Sequence, residues 1–183
     1  RLLGSACCTD ASVPSAADPH HRTEQEQAAY HSGVRGAIFS RWSTRDTPVD
    51  LTFVRPASDG FVESAGYEGD FVSGRRPYAW GVGAYTFSVR KTTYERDPVT
   101  GAESTWCEAS VTDQATKHTT FITSLKFPGR TLAFWPKNSA FVEIYGGGEL
   151  LSQADLRALP EMQVRFGCPR INGAAVEVDK VVE

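Results

Sequence analysis

Side chains that alternate between apolar and polar along the chain most constrain what this sequence can become. Tyr85, Phe87 and Val89 alternate with Thr86, Ser88 and Arg90, and Thr105, Cys107, Ala109 and Val111 alternate with Trp106, Glu108, Ser110 and Thr112. A period of two belongs to a strand with one buried face, because successive side chains point to opposite sides of a sheet. Between these runs lies Asp97-Pro98-Val99-Thr100-Gly101, a turn signal that makes the pair a hairpin. Further strands are expected at 34–42, at 49–54 where Val49, Leu51 and Phe53 alternate, at Phe121–Phe127 and at Ala140–Tyr145. Met162–Phe166 and Ala175–Val182 are expected to return as strands. Thr44–Pro48, Ser58-Asp59-Gly60 and Phe127-Pro128-Gly129 punctuate these runs.

The expectation is an all-β fold, an antiparallel β-sandwich or jelly roll with one or two short peripheral helices. One polar helix is expected over Arg22–Tyr30. A second, Gln153–Leu159, starts at the cap-like Ser152…Asp155 and stops before Pro160. The first 20 residues lack periodicity, so 1–31 read as an N-terminal arm carrying the first helix, while 32–183 read as a single domain. At 183 residues, with 40% hydrophobic and 22% charged side chains, the chain has the makings of a buried core and not of a disordered or collagenous one. A net charge of −3 argues against broad nucleic-acid binding, and no apolar stretch approaches a membrane span.

Of four cysteines, Cys7 and Cys8 adjoin in the arm, and Cys107 and Cys168 lie in the body. Adjacent cysteines bond poorly to each other, so a disulfide framework favours the two pairings that tether the arm. Four reduced thiols are the competing reading. A disulfide framework points to an oxidising compartment and a secreted protein, while the small-residue run after Leu2-Leu3 reads first as part of a mobile arm and second as the tail of a signal peptide. A Cys-bearing arm also offers a route to self-assembly.

The usual catalytic signatures are missing from the sequence. Gly81-Val82-Gly83 and Gly146-Gly147-Gly148 continue into neither a phosphate loop nor a dinucleotide fingerprint, and there is no nucleophile elbow or zinc helix. Cys107 with His118 reads as structure before catalysis. No cofactor is called for, calcium being the one ion that Asp59, Glu63, Glu68 and Asp70 leave open.

The segment Gly66–Tyr85 packs Tyr67, Phe71, Tyr78, Trp80 and Tyr85 among Gly, Pro and charged residues. It reads as an excursion that presents rings outward, since a central strand disfavours so much Gly and Pro. Rings of this kind suit sugars, whose C–H faces stack on an aromatic while their hydroxyls hydrogen-bond to charged groups. The expected glycan-binding set is Tyr67, Tyr78 and Trp80 for stacking, with Glu68, Asp70, Arg75 and Arg76 for polar contacts. Trp106 shares its face with Glu108 and Ser110, which places it at the surface or under a neighbouring loop.

Phe39-Ser40-Arg41-Trp42, then Gly66-Tyr67-Glu68-Gly69, then Tyr78–Phe87, and finally Phe141–Tyr145, follow one another in an order that resembles a secreted all-β family catalogued as domain of unknown function 3472. The resemblance runs from about Ser32 to Gly146. It implies a secreted sandwich met beside carbohydrate-binding modules, carries no catalytic mechanism, and highlights Glu68 and Trp80. The leading expectation is therefore a secreted, lectin-like module that binds glycan or polysaccharide. The alternatives are a carbohydrate-active enzyme, a hydrolase or lyase using Glu63 or Glu68 with Asp70, and a structural protein of the cell surface or matrix.

Overall fold

The computed structural model describes residues 36–65, 70–133, 154, 157 and 164–177. Contacts divide the chain into two compact units, residues 1–139 and 140–183. The first unit holds seven described strands: β1 (Gly36–Trp42), β2 (Val54–Pro56), β3 (Phe61–Ala65), β4 (Phe71–Pro77), β5 (Tyr85–Arg96), β6 (Glu103–Asp113) and β7 (Thr119–Pro128). They form two antiparallel sheets, ordered β1-β4-β3 and β2-β7-β6-β5. The all-β expectation holds.

Alternation places the core. Ala37 and Phe39 of β1, Val72 of β4, Cys107, Ala109 and Val111 of β6, and Leu125 and Phe127 of β7 are buried together, so each sheet turns one face to the other. β1 and β4 pack over β7, and β4 over β2. The interlock is tightest at Gly74, where an added Cβ would stand 2.0 Å from Oγ1 of the fully buried Thr123. Only a residue without a side chain lets Thr123 seat itself there and donate to the carbonyl of Arg55 at 3.0 Å.

Gly74 also explains the main departure from the sequence reading. Phe71–Pro77 is not an excursion but the central strand of its sheet, with Phe71 buried. The stretch 49–54 differs too. Asp50 accepts from the Thr52 backbone N–H at 2.7 Å and caps a 3-10 turn, Leu51–Phe53, so that only Val54–Pro56 pairs as strand. The β5–β6 hairpin is as expected. Asp97 accepts from the N–H groups of Val99 and Thr100, and Gly101 takes a φ of +70.

In the second unit, residues 164–166 form no strand, and the described hairpin is short: β8 (Arg170–Ile171) pairs with β9 (Ala174–Ala175). Asn172 and Gly173 both have positive φ, the geometry of the tightest hairpin turn. Ala154 and Arg157, within the expected second helix, are helical. The expected first helix and the Ala140–Tyr145 strand lie outside the described residues.

Candidate functional site

The two sheets differ in width, and that difference makes a surface. The three-stranded sheet stands over β7 and β2, whereas β5 makes its main backbone contacts with β6 alone. β5 therefore overhangs. Its register sets Tyr85 opposite Asp113, Phe87 opposite Val111, Val89 opposite Ala109 and Lys91 opposite Cys107, so all four lie on the core-directed side. A bulge follows, and Tyr94, opposite Thr105, rejoins that face. With no described strand above them, Phe87 remains 53% exposed and Tyr94 41%.

The segment after β4 folds over the Tyr85–Phe87 end. Tyr78 and Trp80 lie with ring centroids 4.3 Å apart, Trp80 meets Tyr85 edge-on at 5.0 Å, and Trp80 stacks on Phe87 at 5.5 Å and 29°. The Trp80 indole donates to the Gly36 carbonyl at 2.9 Å, tying the cluster to β1. The Tyr85 hydroxyl accepts from the Gly81 N–H and donates to the Gly81 carbonyl, which holds the connecting loop closed. The half-buried rings back one another, and burial raises the Tyr78 phenol above its ordinary range, with Tyr85 and Asp113 adding to the effect.

The expected polar partners do not converge here. Arg75 and Arg76 are neighbours in a strand, so they point to opposite faces. Arg75 pairs with Glu63 at 2.7 Å on the outer side. Arg76 reaches across to Asp59 at 2.7 Å and to the Phe121 carbonyl at 2.6 Å. Asp70 is exposed and uses its carbonyl to accept from Ser43 N–H at 2.8 Å. Tyr67 and Glu68 lie outside the described residues. Phe87 and Tyr94 carry no local sequence signal of their exposure, because alternation shows which face of β5 is apolar and not what covers it.

The opposite face of the wide sheet carries a second cluster. Trp106 is 2% exposed although it stands on the polar face with Glu108. Arg55 lies 3.7 Å and Lys126 5.2 Å from its ring centroid, and both cations pair with Glu95, at 2.8 and 3.0 Å. The indole N–H meets no acceptor at full hydrogen-bond geometry, yet it lies near enough to Glu95 to help hold that carboxyl low. Bonding to Lys126 above all holds Glu95 below its usual range.

Cys107 is a buried free thiol, pushed up by desolvation, and Cys168 is an exposed free one, so no disulfide joins them. The close-packed β6–β7 core, with Cys107 beside Leu125, shields that sulfur from any partner. Cys7 and Cys8 lie outside the described residues. Among the described residues no three His, Cys, Asp or Glu side chains gather as a metal site, and no helix is long and apolar enough to cross a membrane. Compared with known proteins, the chain matches no family model, no curated protein and no solved structure.

Proposed function

We propose that the protein is a secreted glycan-binding module whose binding surface is the overhanging face of β5, with Phe87 as its exposed stacking ring. The reading rests on one observation: Phe87 is 53% exposed and is backed by Trp80 at 5.5 Å. A ring already held in place loses little freedom when a pyranose stacks on it, which is what makes rigid aromatics good contact surfaces. Tyr78 and Trp80 then serve mainly as the support behind Phe87, with their edges adding contact area. The resemblance to a secreted family met beside carbohydrate-binding modules agrees with this reading, as does the loop composition around Trp80.

The test is calorimetry and a glycan array on the wild type and on Phe87→Ala. The variant is expected to keep its melting temperature, because an exposed ring contributes little to the core, and to bind oligosaccharide about tenfold more weakly. A wild type that binds no glycan, or a folded Phe87→Ala protein that binds as well as the wild type, would overturn the proposal.

A further inference from the structure

The two faces of the wide sheet handle charge differently. On the outer face the cations are matched: Arg55 and Lys126 share Glu95, and Arg90 meets Glu108 at 2.7 Å. On the overhanging face they are in excess. Lys91 follows Phe87 and Val89 along the strip, and no carboxylate of a described residue lies within salt-bridge reach of it. Arg130 lies 5.0 Å from the Tyr94 ring centroid and is in no ion pair among the described residues, and Arg96 adds a third cation near the same phenol. Two carboxylates share this face, Glu103, which accepts from the Tyr94 hydroxyl, and Asp113, which accepts from the N–H groups of Ala115 and Thr116, and neither pairs with a cation among the described residues, so the three cations outnumber them by one.

The strip is also long. Phe87 stands opposite Val111 and Tyr94 opposite Thr105, so the two positions are roughly 20 Å apart along the strand at about 3.4 Å of rise per residue of β6. That is far more than a single sugar ring occupies. A stacking ring near each end, with unpaired cations between and beside them in excess over the carboxylates of that face, is complementary to an extended polymer that carries regular negative charge.

We infer that the ligand is a linear acidic glycan, a polyuronate, lying along β5 from Phe87 to Tyr94 with carboxylates at Lys91 and Arg130. This inference rests on the glycan-binding reading and narrows it to one substrate class. The stacking rings give the sugar faces somewhere to lie, and the two cations select charge.

The experiment compares oligogalacturonate with a neutral β-glucan oligosaccharide of equal length, by calorimetry at low and high salt. Wild type is expected to bind the oligogalacturonate about tenfold more tightly, with the preference shrinking as salt rises. Lys91→Ala is expected to reduce that preference, and Lys91→Ala with Arg130→Ala to abolish it, with the melting temperature unchanged. Equal binding of both oligosaccharides by wild type, or an undiminished preference in the double variant, would overturn the acidic assignment and leave glycan recognition standing. Failure to bind either oligosaccharide would overturn both.

Discussion

Trp106 and Trp80 stand on opposite sides of the same sheet, and the two indoles are stabilised in opposite ways. Trp106 is sealed by charge: Arg55 and Lys126 lie over its ring, Glu95 ties the two cations together, and its N–H finds no acceptor. Trp80 is half-buried among other aromatics, and its N–H is satisfied by the Gly36 carbonyl. The long methylene stems of Arg and Lys can cover an aromatic as well as a loop does, with their charged ends still in water. A tryptophan's burial therefore does not follow from the polarity of its own strand face. The contrast also separates roles, since a ring beneath ion pairs is closed to ligands and a ring that props up an exposed neighbour is not.

The largest test of this contrast is truncation. Trp106→Ala is expected to cost about 3–5 kcal/mol, the range for a fully buried aromatic. Trp80→Ala, being half-buried, is expected to cost about 2 kcal/mol. Urea unfolding of both variants measures the difference, and equal losses would break the comparison. A smaller effect is expected from Arg55→Ala, which removes the closer cation from Trp106 but leaves Lys126, at about 1 kcal/mol. No change in the unfolding midpoint would mean that Lys126 alone keeps the ring covered.

The smallest effect is pH-dependent and concerns Glu95. Its carboxyl is held below the usual value of 4.5, first by Lys126, so the fold favours the ionised form. That stabilisation is full above pH 4.5 and is lost as the pH falls through the lowered folded value. Melting curves of wild type should therefore decline more steeply on acidification than those of Glu95→Gln. Parallel curves would assign the acid sensitivity to another carboxylate, such as Asp97, which the backbone N–H groups of Thr100 and Val99 also hold low.

How far the sequence could be read depended on where each cause lay. The β5–β6 hairpin was legible because its alternation and its Asp97–Gly101 turn are local. β4 was not legible as a strand, because the reason for Gly74 is Thr123, on a strand distant along the chain. Once β4 is known, the separation of Arg75 from Arg76 onto opposite faces follows from strand periodicity alone. Trp106 was placed on its correct polar face, but its covering comes from β2 and β7 and left no local mark. The Asn172-Gly173 hairpin had the strongest short turn signal in the chain, and Met162–Phe166 was read as strand in its vicinity instead. At the candidate site, Tyr78 and Trp80 were legible as a cluster. Phe87 and Tyr94 were not, because their exposure depends on the width of a facing sheet that ends short of them.

The contact between Gly74 and Thr123 works as a slot and key between the layers. It sets the lateral alignment of the two sheets at a point well inside the core and away from β5. Substitutions along the overhang can then accumulate without the layers sliding. The outer strip is in effect a veneer on a pinned frame, and the frame can carry a different set of rings and charges.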